Sequence, residues 1–273
     1  YFEAVFVPLM APLVFLMGIG PVAAWRKASL PDLWTRLKWA FGVAIVTGIV
    51  VPFAFGRWSA LTSLGVLLAA WVFAATGAAI VQRLRGAPQV GLAAKLRANS
   101  AAWYGMLVAH LGIGVFIVGV TLVKSYQIEQ DLRLDVGKSV EVGGYTFTFR
   151  GIEPKAGPNY RALVGTIDVA RDGVARGSLK PEKRLYEASG QTMTEAAIST
   201  GLFGDRYVSL GEPLSPDKLD GAWSVRIYIK PFIDWVWGGC FLMALGGFIA
   251  VSDRRYRLAV KRKLAMLAGG AAA

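Results

Sequence analysis

Five stretches of this chain carry no charged residue: 4–25, 39–56, 58–82, 98–123 and 235–252. Each reaches the ~18 residues at which an apolar run is long enough to cross a bilayer as a helix. At 1.5 Å rise per residue even the shortest spans roughly 27 Å of hydrocarbon. A backbone in lipid must satisfy its own N–H and C=O groups, so such runs have to be helices. The chain is 55% hydrophobic and only 18% charged over 273 residues, too apolar for one ordinary soluble domain. The expected architecture is a polytopic α-helical bundle of five spans in a lipid bilayer.

The net charge of +12 would suggest nucleic acid if it were gathered in one domain. It is not. Arg26, Lys27, Arg36 and Lys38 lie between the first two spans, and Arg83, Arg85, Lys95 and Arg97 between the third and fourth. Arg254, Arg255, Arg257, Lys261, Arg262 and Lys263 follow the fifth. Asp32 and Asp253 are the acidic residues among them. The segment 124–233 is nearly balanced, so almost all excess positive charge flanks one side of the membrane. The positive-inside rule makes that side cytoplasmic and argues against a nucleic-acid partner. The first span then runs inward, and the second and third form a hairpin around Gly56 and Arg57. The fourth runs outward and the fifth returns. Trp25, Trp34 and Trp39 would mark the inner interface, and Trp58, Trp235 and Trp237 the outer one. Trp71 is mid-span, where packing is the simplest reason for it.

The external segment reads as a small β-rich domain. Gly143 and Gly144 separate one pair of alternating runs, and Asp172 and Gly173 separate another, both hairpin signals. Tyr145, Phe147 and Phe149 alternate with Thr146, Thr148 and Arg150. Trp223, Val225, Ile227 and Ile229 alternate with Ser224, Arg226, Tyr228 and Lys230 before Pro231. Several short strands with turn residues fit a sandwich or barrel. The expected divisions are residues 1–123 as four spans, 124–231 as the external β domain, 232–252 as the fifth span and 253–273 as a basic tail, frayed at its end. The chain opens on Tyr1 and enters an apolar run at once, which reads as a chain missing its beginning. That first span lacks a basic start and a small-residue cleavage site, so it is not expected to be a removable signal.

Few residues can carry chemistry. His110 is the one histidine, near the middle of the fourth span. Ionisable groups at that depth are costly and become functional candidates. A neutral imidazole there suits a metal or heme-iron ligand, a proton relay, or a hydrogen bond between helices, and these stay open. Gly114, one turn away, would leave room beside it. Gly105, Ala109, Gly112 and Gly119 form a small-residue stripe whose ordinary meaning is close helix packing. Glu3 and Asp234 read as interface charges; Arg57, Lys124 and Lys230 also lie outside, where they could meet carboxylates. Cys240 is the lone cysteine and reads as a small hydrophobe in the fifth span, so the chain has no dithiol of its own. The β-rich segment has neither His nor Cys, which excludes a serine-type triad or a zinc site within it and favours docking.

Taken together, several runs resemble one family. Residues 108–112 (VAHLG) look like the C-terminal transmembrane histidine motif of the CcmF proteins of cytochrome c maturation. Residues 8–13 (PLMAPL) with 18–21 (GIGP) resemble another of its spans. Runs 192–198, 201–213 and 226–232 are similar to its external domain, and 235–247 and 253–257 to its last span and tail.

The resemblance implies a subunit of the heme lyase that attaches heme to apocytochrome c at the inner membrane, with its β domain in the periplasm. It implies that His110 is one of two axial ligands of a heme b that reduces the incoming heme iron. The implied partners are the heme chaperone CcmE, the CcmH and CcmI subunits, apocytochrome c and the N-terminal half of the same protein. The tryptophan-rich heme-handling loop, its flanking histidines and the other membrane histidine of that half are absent here. Activity would therefore need that half. The related lyase subunit of nitrite reductase maturation (NrfE), a membrane scaffold and a transporter subunit are the rival readings.

Overall fold

The computed structural model describes residues 2–23, 29–86, 91–214 and 221–253. The expectations for Trp25, Arg26, Lys27 and the basic tail after Asp253 lie outside them, as does the side chain of Glu3. The chain divides into two compact units, one of helices and one of strands running from Leu122 to Asp234.

The helical unit contains α1 (Phe2–Ile19), α2 (Leu30–Ala54), α3 (Ala60–Arg85), the short α4 (Leu92–Arg97), α5 (Ala101–Tyr126) and α6 (Ile233–Val251). Of the five expected spans, α2, α3, α5 and α6 have the length and apolarity to cross a membrane, whereas Ala4–Ile19 of α1 is a shorter apolar helix. The first apolar run was expected to continue to residue 25. Its regular ladder stops at Ile19 because Pro21 has no N–H to donate, and the chain goes on only as a turn in which the Ala23 N–H reaches the Ile19 carbonyl at 3.1 Å. Pro8 and Pro12 also interrupt the backbone ladder inside α1.

Local chemistry sets the other ends. The Asp32 N–H donates to Ser29 Oγ at 3.3 Å, capping α2, and the Asp32 carboxylate pairs with Arg36 one turn on. The Thr62 N–H donates to Ser59 Oγ at 3.1 Å, capping α3. Gly56 turns the expected hairpin between them in a left-handed conformation, φ +73°.

Within this unit α3 is central. Gly48 of α2 lies against Leu67 and the Ser63 carbonyl, at a distance a methyl group would violate. On α3's α1 side, Trp71 is 2% exposed. Its ring stacks on Phe15 at 5.1 Å and meets Phe41 edge-on at 6.1 Å, while Nε1–H donates to the Phe15 carbonyl at 2.8 Å. A mid-span tryptophan is thus explained by packing and one satisfied polar atom. The outer faces remain apolar, with Leu9, Trp39, Phe248 and Val251 all exposed, as lipid-facing surfaces require.

The strand unit is a two-sheet sandwich. One sheet has the order β1 (Ile128–Leu134), β10 (Trp223–Pro231), β9 (Gly204–Pro213), β8 (Ala197–Ser199). The other runs β2 (Ser139–Val142), β3 (Tyr145–Ala156), β4 (Tyr160–Arg171), β6 (Glu182–Tyr186), β7 (Thr192–Glu195), with β5 (Val174–Leu179) also on β4. Both expected hairpins form. Gly143 and Gly144 have φ of +57° and +76°, and Asp172 and Gly173 +52° and +75°, two positive angles in succession as the tight hairpin turn demands. The alternating faces point as expected: Phe147, Phe149, Trp223, Val225 and Ile227 are fully buried in one core with Ile167, Val208 and Leu210. The first and last strands pair, Ile128 opposite Ile229, so the two ends of the domain leave side by side.

Candidate functional site around His110

His110 sits near the middle of α5, roughly 14 Å along the axis from its start, and is partly buried. Its Nδ1 stands 2.8 Å from the Met106 carbonyl oxygen one turn earlier. A carbonyl can only accept, so the proton belongs on Nδ1 and the lone pair on Nε2. Among the described residues Nε2 has no hydrogen-bond partner. This is the tautomer that an axial or metal-ligating histidine uses, with its other nitrogen anchored by a backbone acceptor. Met106 therefore holds the imidazole by its carbonyl. The residues present fit a single nitrogen ligand to iron, and among the described residues no cluster of three His, Cys, Asp or Glu could complete a metal site.

The glycines of α5 define what surrounds it. A methyl on Gly105 would strike Gly246 and Ala250, on Gly112 Gly239 and Met243, and on Gly119 Trp235 and Val236. Gly246 in turn lies on Ala109. The stripe therefore packs backbone to backbone on α6, the ordinary reading of small residues. Gly114 does not leave open room: the Phe73 ring of α3 fills the space above it. Both small-residue surfaces beside His110 are occupied by helices.

Phe73 against Gly114 and Gly65 against Thr121 fix α3 and α5 as antiparallel neighbours. That register, with 3.6 residues per turn, places Thr76 on the α5-facing side of α3 and level with His110. Thr76 is 2% exposed, and its Oγ1 has no hydrogen-bond partner among the described residues. Sequence reading passed over it, because a threonine in an apolar span draws no notice until its neighbours are known.

The other candidates do not join this place. Cys240, read as a small hydrophobe of the fifth span, is exposed on α6, because the Gly239–Gly246 edge and not its own side faces α5. Asp253, read as a cytoplasmic charge, is buried, and its carboxylate accepts from the Ala102 N–H at 3.0 Å. Lys230 lies over the rings of Tyr207 and Tyr228 at 4.8 and 5.1 Å. Asp205 of β9 was not singled out. It is 2% exposed, and burial pushes its carboxyl above the usual range; the Gly201 N–H, donating at 2.9 Å, opposes that, and Asp234 adds to it. Only the strand pairing shows that β9 is central enough to bury it.

A family profile described as "CcmF C-terminal beta-sandwich" matches residues 125–231. The chain is 40% identical over 266 residues to the cytochrome c-type biogenesis protein CcmF of Pseudomonas aeruginosa, covering 97% of this chain and 39% of that protein. It is 38% identical to the protein of that name from Escherichia coli K12, covering 94% of this chain and 38% of the relative. A solved structure titled "Cytochrome c Heme Lyase CcmF" shares the fold, with TM-score 0.73 and 22% identity over 92% of this chain and 40% of that one. The chain thus spans about two fifths of the length of the relatives it matches, and over that stretch it is similar to the CcmF proteins.

Proposed function

We propose that this chain supplies a portion of a cytochrome c heme lyase in the bacterial inner membrane, with its β sandwich in the periplasm. His110 serves as an axial ligand of a membrane-embedded heme b. The observation that carries this reading is the His110 Nδ1 contact to the Met106 carbonyl, which commits Nδ1 as donor and leaves Nε2 as a lone-pair ligand in an apolar span. A bound heme b would supply one-electron chemistry for reducing the heme that is to be attached. The contribution of this chain is positional. Met106 fixes the imidazole tautomer, α6 locks the back of α5 through the glycine stripe, and the apolar surroundings keep water from the iron-binding nitrogen.

The sandwich, without His or Cys, works as a docking module for the partners of heme attachment: the N-terminal half of the protein, CcmH, CcmI, the heme chaperone CcmE and apocytochrome c. The experiment is His110→Ala in the complete complex. Loss of the b-type hemochrome absorbance is expected, together with loss of covalent heme on a reporter cytochrome. An unchanged spectrum would remove His110 as a ligand.

A further inference from the structure

A small polar recess of about 50 Å³ opens between the two sheets of the sandwich, where β5 and its neighbour β4 face β8 and β9. Arg176 and Arg206 line it from opposite sheets, together with Ser199 and the buried apolar Val169 and Leu179. Arg176 is placed there by a bulge. Val169 pairs with Gly177 and Ala170 with Ala175, so Arg176 is the extra, unpaired residue of β5. Gly177, at φ +108°, supplies the backbone angle that the irregularity needs.

Arg176 is exposed, whereas Arg206 is only partly satisfied. Arg206 donates through Nη2 to Ser199 Oγ at 2.7 Å and lies over the Tyr145 ring at 5.1 Å. Its Nε is buried and has no acceptor among the described residues. Neither Arg176 nor Arg206 has a carboxylate within ion-pair distance among the described residues. The nearby Asp168 is already spent: it accepts from Arg150 at 2.6 Å and from Ser178 at 2.5 Å. A buried, unsatisfied guanidinium N–H costs stability unless an acceptor comes from outside.

We propose that this recess is a carboxylate-binding site in which Arg176 and Arg206 clamp the two oxygens of one ligand carboxyl group. The planar two-oxygen acceptor matches the guanidinium fork. The apolar lining suits the carbon that bears the carboxylate better than the polar third oxygen of a tetrahedral anion. The ligand is either a small free carboxylate or an acidic side chain of a docking polypeptide; both present the same group.

The test uses the full chain in detergent micelles with 15N-labelled arginine. The Arg206 Nε–H resonance is followed while sodium acetate is added at constant ionic strength. A saturable shift is expected, with affinity reduced at least tenfold in Arg176→Gln. That substitution lies on an exposed edge strand and leaves the core intact. Arg206→Lys, followed through the neighbouring backbone amides, should lose the response while keeping the charge. A shift reproduced by chloride, one unchanged in Arg176→Gln, or tighter binding of inorganic phosphate than of acetate would overturn the proposal. A capped glycine peptide with one central glutamate separates the sources: much tighter binding than acetate identifies a polypeptide ligand, and equal binding a free small carboxylate.

Discussion

The carboxylate of Asp253, just beyond α6, accepts a hydrogen bond from the backbone N–H of Ala102 in the first turn of α5, at 3.0 Å. It satisfies one of the orphan donors of that helix end and puts negative charge at the positive end of its dipole. A residue from one helix thus caps the start of its antiparallel neighbour, the helix that carries His110. Asp253→Ala should destabilise the chain by about 1 kcal/mol, the usual worth of an N-terminal cap. Asp253→Asn, which keeps an acceptor, should cost less. Thermal unfolding in detergent, followed by circular dichroism, checks both; equal midpoints for wild type and Asp253→Ala would rule the cap out.

The glycine seam between α5 and α6 gives a second expectation. An added methyl at Gly112 would meet backbone atoms of α6, Met243 N at 2.7 Å and Gly239 O at 2.8 Å. Backbone cannot swing aside as a side-chain tip can, so Gly112→Ala should cost about 1–3 kcal/mol, the usual range for overpacking. Gly247, with nothing within 4 Å, provides the control: Gly247→Ala should be neutral or slightly stabilising. Comparable losses for the two would mean that the seam is not close-packed.

Thr76 should respond in the opposite direction. Its hydroxyl is buried and unpartnered, so Thr76→Val keeps the shape and removes an unmet polar group. The chain by itself should gain about 1 kcal/mol. If His110 holds a heme as proposed and that hydroxyl acts beside it, the same substitution in the complete complex should shift the absorbance or midpoint potential of that heme. Destabilisation of the isolated chain would show that the hydroxyl does have a partner.

The sandwich should lose stability in acid. Asp131 is held below the usual carboxylate range by its hydrogen bond from Arg226, and Asp168 by hydrogen bonds from Ser178 and Arg150. A carboxyl with a lowered folded pKa adds stability above its unfolded value, about 3.9, and loses it as pH falls through the folded value. Asp205 works the other way. Its folded pKa is raised, so the stability linked to its proton is present below the unfolded value and is lost as pH rises through the folded one. Denaturant midpoints across pH 2–7 should therefore fall at the acid end in wild type, and fall less in Asp131→Asn with Asp168→Asn. Asp205→Asn should flatten the less acidic limb. An acid limb unchanged in the double variant would place the sensitivity elsewhere.

Much of this architecture was legible because each signal was local. An apolar run with no charge has few options but a helix in lipid, and it served for α2, α3, α5 and α6. A Gly-Gly or Asp-Gly pair between alternating runs announces a tight hairpin, as Gly143 with Gly144 and Asp172 with Gly173 did, because such pairs accept two positive φ angles in succession. His110 stood out for the same reason: an ionisable group deep in such a run is costly wherever its neighbours lie. The end of α1 was misjudged because hydropathy says nothing about Pro21, which breaks the regular ladder by lacking an N–H.

The chain's own pattern of apolar runs and alternating strands determined that there would be membrane helices, a β domain between the last two, and one histidine at depth. Partnership was decided only in three dimensions. A glycine stripe announces that something approaches closely, but not that α6 does so while Phe73 covers Gly114. Arg176 and Arg206 stand thirty residues apart and line one recess only because two sheets stack and a bulge shifts the register of β5. Periodicity is written in the near neighbours of each residue. Which surfaces meet depends on the summed packing of the whole unit, and no single stretch of chain contains that sum.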